Sequence, residues 1–151
     1  MKLDIIQDVN GNDYYSVIID RFDDDKNYKN FMNVLLDFFL KIDNANIYNE
    51  KLLKRNHDIY HLTVLNVPEY NKVKNDNINL PVGKFTDIIF TGIGSISKDN
   101  KTTYFVTCVS KQLNDIRNLL NLKPKDFHIT LGFTNKDLFH DRKNVPNIIS
   151  Y

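Results

Sequence analysis

The sequence has 151 residues, and its 20 Lys and Arg side chains nearly balance 19 Asp and Glu, which leaves a net charge of +1. The length predicts a single domain over residues 1–151. The charge argues against a protein that grips a long tract of nucleic acid, although it is compatible with a pocket for one or two phosphates. No apolar run approaches the roughly 18 residues that span a bilayer. With a single cysteine and no apolar stretch at its start, we expect a reduced, cytoplasmic protein that does not bind membranes.

The first half of the chain predicts a strand, a helix and a second strand. Residues 14–19 are mostly β-branched and aromatic, which is typical of a strand. The three aspartates at positions 23–25 are N-cap candidates for a helix. Residues 43–56 are polar and are expected to be irregular or to hold a short helical turn, and residues 59–65 again have the pattern of a strand. The predicted helix has one apolar stripe: Phe31, Val34, Leu35, Phe38, Phe39 and Ile42.

A hairpin is predicted in the middle of the chain. It follows a loop that holds Pro68 and Pro81. Residues 84–96 indicate a long strand whose two glycines mark a bulge. After a turn at residues 98–100, residues 103–109 return as the partner strand.

The last third of the chain predicts a helix and a strand. Ser110 is a cap candidate, and the helix that follows cannot continue through Pro124. Residues 127–133 have the pattern of a final strand. Each half of the chain therefore has a strand, a helix and a strand that contains histidine, which predicts an α+β fold with an internal duplication.

Two of the four histidines occupy the same short sequence frame. Residues 60–64 and 127–131 both read apolar-His-apolar-Thr-apolar. On a strand, residues i and i+2 point to the same side, so each histidine projects together with its threonine. Gly132 falls on that same side of the second strand, where its missing side chain is expected to leave space for a ligand. The paired residues are His61 with Thr63 and His128 with Thr130.

This set of side chains suits attack at a phosphodiester. One neutral imidazole can take a proton from the attacking oxygen while a protonated imidazole gives one to the leaving oxygen, and the ordinary histidine pKa near 6.5 allows both forms at neutral pH. The threonine hydroxyls can donate hydrogen bonds to the phosphoryl oxygens, where negative charge builds up. No metal and no other cofactor is needed for these steps.

The paired motifs resemble those of the 2H phosphoesterase superfamily, also called LigT-like. The second motif, residues 123–133, is similar to the branch described as Swiss Army Knife RNA-repair-like proteins. The resemblance implies a bilobal, pseudo-symmetric fold in which two antiparallel sheets line a central cleft, with helices outside and one motif in each intertwined lobe. It also implies metal-independent cleavage of 2′,3′-cyclic phosphates, 2′–5′ linkages or related cyclic nucleotides. Several LigT-like members carry a basic residue shortly after the second motif, whereas Gly132, Phe133 and Thr134 follow here.

Carried onto this chain, the resemblance gives His61 and His128 the catalytic roles and leaves open which is the acid and which the base. Thr63 and Thr130 become the phosphate-binding residues. Tyr14 or Tyr15, on the first predicted strand, could stack on a base.

The remaining histidines and the cysteine have ordinary interpretations. His57 and His140 are expected in loops, and the spacing from His57 to His61 is not that of a helical metal pair. Cys108 lies in an apolar stretch and is expected to be a buried thiol.

Three functions are compatible with these residues. The first is a phosphodiesterase that opens 2′,3′-cyclic phosphates or 2′–5′ bonds at RNA ends or in small nucleotides. The second is a hydrolase of signalling molecules, such as cyclic oligonucleotides or 2′–5′ oligoadenylates, that serves immune evasion. The third is a non-catalytic binder of RNA ends or nucleotides. In each case the partner is a small nucleotide or an RNA terminus, and a monomer is expected.

Overall fold

The computed structural model describes residues 1–19, 26–85, 87–139 and 142–151, and in these it has eight strands and four helices. The aspartates at positions 23–25, the predicted helix cap, lie outside the described residues. In chain order the elements are β1 (Lys2–Gln7), β2 (Asp13–Ile19), α1 (Lys26–Lys41), α2 (Ala45–Arg55), β3 (Tyr60–Leu65), α3 (Val67–Asn75), β4 (Gly83–Lys84), β5 (Ile89–Lys98), β6 (Lys101–Val109), α4 (Lys111–Leu119), β7 (Phe127–Phe133) and β8 (Ile149–Ser150).

The strands form one sheet in the order β4-β1-β2-β3-β7-β6-β5-β8, and each neighbouring pair is antiparallel. The α+β class with antiparallel strands is therefore confirmed. The bilobal arrangement of two sheets is not confirmed, because β3 and β7 join the two halves of the sheet through the pair Leu62 and Ile129. The two strands that carry the histidine motifs are thus next to each other at the centre of the sheet.

One side of the central strands is packed into the hydrophobic core. Val17 pairs with Leu62 on the first half of the sheet, and Val106 pairs with Ile129 on the second. All four are fully buried and belong to the same apolar cluster as the stripe of α1. The stripe is narrower than predicted, because Phe39 is 41% exposed.

Helix α2 lies where the sequence indicated irregular chain. Its buried positions are Ala45, Asn49 and Leu52, so a polar residue interrupts what would otherwise be an apolar stripe. The Asn49 side chain is satisfied by tertiary contacts, since it donates to the carbonyl of Leu131 at 2.7 Å and accepts from the Tyr60 hydroxyl at 3.0 Å. The helix therefore owes its place to the sheet and not to a hydrophobic pattern.

Helix α3 lies in the segment predicted to be a loop. Asn66 and Glu69 form a reciprocal capping box, and Pro68 occupies the first turn. A proline is tolerated there because the first amides of a helix have no intrahelical acceptor. These start signals are present in the sequence, but the two prolines of the segment, Pro68 and Pro81, favour a loop in a prediction from local patterns.

The hairpin of β5 and β6 and the last strand follow the sequence more closely. The register of β5 against β6 shifts between Phe90 and Gly92, which confirms the bulge expected at the glycines. Ser110 caps α4 by accepting from the Leu113 amide at 3.1 Å. Strand β7 has the predicted bounds, whereas the long first strand of the hairpin begins only at Ile89.

Candidate active site

The two motifs share one side of adjacent strands. Leu62 and Ile129 are paired, and extending this antiparallel register by one residue in each direction sets each histidine beside the threonine of the other motif. The motif side chains are half-buried, whereas the residues that alternate with them are buried, apart from the half-buried Tyr60. We call this side of the sheet the motif face; it carries His61, Thr63, His128 and Thr130.

The imidazole of His61 contacts Tyr14 on the neighbouring strand. The Tyr14 hydroxyl lies 3.4 Å from Nε2 of His61, and the two rings meet edge-on with centroids 5.6 Å apart. Tyr14 is half-buried, and this burial raises the pKa of its hydroxyl. The predicted substrate-binding residue Tyr14 therefore lies at the motif face.

His128 has a different neighbourhood. Its ring meets that of Phe105 edge-on, with centroids 6.2 Å apart. Phe105 is fully buried on β6, in register with Thr130. One imidazole thus faces a hydroxyl and the other an apolar ring.

Both imidazoles are held in the neutral form. The pKa of His61 is lowered from 6.5 to about 4, mainly by burial and next by the positive charge of Arg55. The pKa of His128 is lowered to about 3, mainly by burial and next by the positive charges of Lys143 and Lys125. Because each pKa lies well below 7, the motif face of the free protein presents two neutral imidazoles at neutral pH.

Three charged side chains that the sequence did not single out lie beside the motif face. Asp137 accepts from Lys143 at 2.7 Å through Oδ1 and from Arg55 at 2.7 Å through Oδ2. The Lys143 ammonium also donates to Oγ1 of Thr130 at 3.3 Å. Burial alone would raise the pKa of Asp137, but the two cations outweigh it and the pKa is lowered. We call Arg55, Asp137 and Lys143 the charge cluster.

The C-terminal segment brings Lys143 to this place by crossing the two glycines of β5. A Cβ atom on Gly94 would lie 2.2 Å from the carbonyl oxygen of Val145, and one on Gly92 would lie 2.2 Å from that of Ile149. Asn147 adds two hydrogen bonds to the backbone of Ser95, at 2.7 and 3.1 Å. The glycines thus allow the close backbone approach that sets the C-terminal segment over the hairpin. In the sequence, this pair of glycines was the signal that could have indicated such an approach.

The structure corrects two of the predicted substrate-binding residues. Tyr15 is fully buried and its hydroxyl donates to the carbonyl of Pro81, so its ring belongs to the core side of β2. Gly132 leaves no space for a ligand, because a Cβ atom there would lie 2.8 Å from the backbone of Tyr48 in α2. The strict alternation assumed for Gly132 fails because the register of β6 and β7 shifts beside Leu131.

The other residues considered from the sequence lie away from the motif face or outside the description. His57 is exposed in the loop after α2, and His140 lies outside the described residues. Cys108 is buried, and this burial raises the pKa of its thiol. Among the residues that the structure describes, no group of three or more His, Cys, Asp or Glu side chains could hold a metal ion. Within that same part of the chain, none of the helices has the length and apolarity to cross a membrane.

Comparison with known proteins identifies the family. The family described as "Swiss Army Knife, 2H phosphoesterase domain" matches residues 31–139, which is more than half of the chain and includes both motifs. No curated protein and no solved structure matches the chain. The family match supports phosphoesterase activity in general. The chain therefore belongs to the Swiss Army Knife family of 2H phosphoesterase domains.

Proposed function

We propose that the protein is a metal-independent phosphodiesterase that cleaves 2′,3′-cyclic phosphates or 2′–5′ bonds in RNA ends or small nucleotides. The observation that carries this proposal is the register of β3 and β7. It sets two imidazoles and two hydroxyls on one face of two adjacent strands. The family supports the general phosphoesterase chemistry, and the motif residues suit the more specific reaction.

In this mechanism His61 and His128 transfer the protons. For a cyclic phosphate, one neutral imidazole accepts a proton from water as the water oxygen forms its bond to phosphorus. The other imidazole, protonated, gives its proton to the ribose oxygen as the bond from that oxygen to phosphorus breaks. The water proton ends on the first histidine, and the products are an open phosphomonoester and a ribose hydroxyl.

The threonines act on the phosphoryl oxygens. Hydroxyls of Thr63 and Thr130, projecting from the same face as the imidazoles, donate hydrogen bonds to the two non-bridging oxygens. These oxygens gain negative charge as the attacking oxygen approaches phosphorus. Donors fixed on strands need little rearrangement at that moment, which favours the transition state over the free substrate.

Substrate binding supplies the protonation state that the free protein lacks. Both imidazoles have a lowered pKa, so the acid is formed when a phosphodiester anion sits beside it and favours the charged imidazole. The net charge of +1 fits a substrate with a single phosphodiester better than a long nucleic acid.

A substrate panel tests the proposal. Purified protein in EDTA is offered nucleoside 2′,3′-cyclic monophosphates, 2′–5′ and 3′–5′ dinucleotides, and cyclic dinucleotides. We expect turnover of the cyclic monophosphates or the 2′–5′ dinucleotides, lost by about 10²–10⁴-fold in His61→Ala and in His128→Ala. His57→Ala, at an exposed loop histidine, is the matched control and should keep full turnover.

Two results would overturn the proposed mechanism. One is turnover that survives in both motif variants, and the other is turnover that requires a divalent metal. Turnover confined to cyclic dinucleotides would instead favour a hydrolase of signalling nucleotides. Binding of a nucleotide without any turnover would favour a non-catalytic binder.

A further inference from the structure

The charge cluster lies almost fully out of solvent. The Lys143 side chain is 3% exposed and that of Asp137 is 2% exposed, while Arg55 keeps 21% of its side chain exposed. Buried ion pairs of this kind contribute little net stability compared with apolar residues of the same size, because each charge must be removed from water. Their position beside Thr130 therefore needs an explanation other than stability.

The hydrogen-bonding chemistry of the cluster has a direct consequence for Thr130. An ammonium group can only donate, so the threonine oxygen must be the acceptor in the contact at 3.3 Å. The proton of that hydroxyl must then point away from Lys143. Asp137 accepts from Lys143 through one carboxylate oxygen and from Arg55 through the other, and its bond to Lys143 helps to hold the ammonium in place.

We propose that Lys143 is a positioning residue that, held by Asp137 and Arg55, orients the Thr130 hydroxyl as a donor to the phosphoryl oxygen. This inference rests on the proposed phosphodiester cleavage. A hydroxyl that accepts from a cation is a stronger donor through its own proton, because the two hydrogen bonds polarise each other. Lys143 thus acts through Thr130 and strengthens with it the stabilisation of developing negative charge.

The C-terminal segment holds this arrangement in a fixed geometry. The carbonyl of Val145 lies in the notch left by Gly94, and Asn147 is bound at two points to Ser95. The segment therefore cannot slide along β5 without losing these contacts. No cation among the described residues donates a hydrogen bond to the hydroxyl of Thr63. The support by a cation is therefore found at one threonine of the pair, Thr130.

A double-mutant cycle tests the inference. Lys143→Met, Thr130→Val and the double variant are compared in kcat and KM on the best substrate of the panel. We expect Lys143→Met to lower kcat by about 10–100-fold and to change KM by less than about threefold, because the lost interaction belongs to the transition state. In the Thr130→Val background the same change should cost less than about twofold, because the hydroxyl through which Lys143 acts is gone.

Arginine and a surface lysine provide the controls. Lys143→Arg keeps a donor and a positive charge, so it should recover part of kcat. Lys111→Met removes an exposed lysine that pairs with Asp115 at 2.8 Å, and it should leave kcat and KM unchanged. Additive losses in the double variant, or a loss confined to KM, would overturn the inference, as would a lack of recovery with arginine.

A binding measurement separates this inference from the proposed function. A nucleoside–vanadate complex has the trigonal-bipyramidal shape of the transition state, and its affinity can be measured without turnover. We expect Lys143→Met to weaken its binding by the same factor as it lowers kcat, while binding of inorganic phosphate changes less than about threefold. A wild-type protein that cleaves no phosphodiester would reject the proposed function. Equal vanadate affinity of the wild type and Lys143→Met would reject the role of Lys143. If Lys143→Met does not fold, Asp137→Asn replaces it in the same measurements with a smaller expected loss.

Discussion

The two motif strands share a five-residue frame but have different surroundings. On β3, His61 contacts the hydroxyl of Tyr14 at 3.4 Å. On β7, His128 meets the apolar ring of Phe105, and Thr130 accepts from the Lys143 ammonium at 3.3 Å. The strand pattern repeats because the same alternation is needed to bury one side and expose the other. The neighbours differ because they come from other parts of the chain.

This difference predicts that the threonines of the two motifs contribute unequally to catalysis. The cation beside Thr130 makes that hydroxyl the better donor, while Thr63 lies on the half with no such support among the described residues. The histidines, in contrast, are both half-buried and both neutral at neutral pH. We therefore expect the imidazoles to be equally indispensable and the threonines to be unequal.

The largest expected effect is loss of either imidazole. His61→Ala and His128→Ala should each lower kcat by about 10²–10⁴-fold, and the double variant should be little worse than the worse single variant, because the two groups act as a unit. Steady-state kinetics on one cyclic nucleotide checks this. Strictly multiplicative losses would show that the two half-sites act independently.

The next effect is on the free energy of unfolding and concerns the charge cluster beside Thr130. Asp137→Ala leaves Arg55 and Lys143 as like charges near each other and poorly solvated, and we expect a loss of about 3–5 kcal/mol in the free energy of unfolding. Urea denaturation measures it. Asp115→Ala, which removes one partner of an exposed pair, should change the same quantity by less than about 1 kcal/mol.

The threonine variants test the inequality directly. Thr130→Val should lower kcat by about 100-fold, as expected for loss of one well-placed donor, whereas Thr63→Val should lower it by about tenfold. Both substitutions keep the size of the side chain, so the melting temperature of each variant is measured as the control for folding. Equal losses would show that Lys143 gives Thr130 no advantage.

The lowered pKa values of the two imidazoles can be tested at equilibrium. Titration by NMR should find His61 near 4 and His128 near 3, and a bound phosphate should raise both. Because each folded pKa lies below the unfolded value near 6.5, the unfolded chain takes up protons first as the pH falls. The free energy of unfolding should therefore decrease from about pH 6.5 down to about pH 3, and His128→Gln should flatten part of this slope. A histidine that titrates near 6.5 in the folded protein would contradict the burial of the motif face.

The smallest expected effect concerns Tyr14. Its hydrogen bond to His61 is long, at 3.4 Å, and a neutral hydrogen bond contributes about 0.5–1.5 kcal/mol. Tyr14→Phe should therefore lower kcat by no more than about tenfold and leave the ring contact in place. Tyr48→Phe is a control on a half-buried tyrosine of α2. A loss as large as that of His61→Ala would mean that the Tyr14 hydroxyl takes part in proton transfer.

The elements that sequence patterns predicted are those whose signals are local. Strands β3 and β7 alternate between buried and half-buried residues, and α1 has a regular apolar stripe, so both could be read from neighbouring residues. Helix α2 was missed because its buried face contains Asn49, whose hydrogen bonds go to Tyr60 and Leu131. Strand β8 was missed because two residues, Ile149 and Ser150, become a strand only by pairing with β5.

The candidate site divides in the same way. Period-two alternation in the sequence was enough to put His61 with Thr63 and His128 with Thr130, since side-chain direction along a strand is fixed by covalent geometry. Tyr15 and Gly132 were assigned wrongly as ligand contacts, because packing against Pro81 and against α2 depends on residues far away in the chain.

Residue identity and short spacing are enough to establish the two motifs, the family and the near-neutral net charge of +1. The packed fold is needed to see that β3 and β7 are neighbours and that Arg55, Asp137 and Lys143 meet beside Thr130. These three residues are separated by up to 88 positions in the chain, and their contacts depend on sheet order and on the close approach of the C-terminal segment to Gly92 and Gly94. Long-range pairings of this kind are set by the packing of the whole domain, which no local pattern of residues encodes.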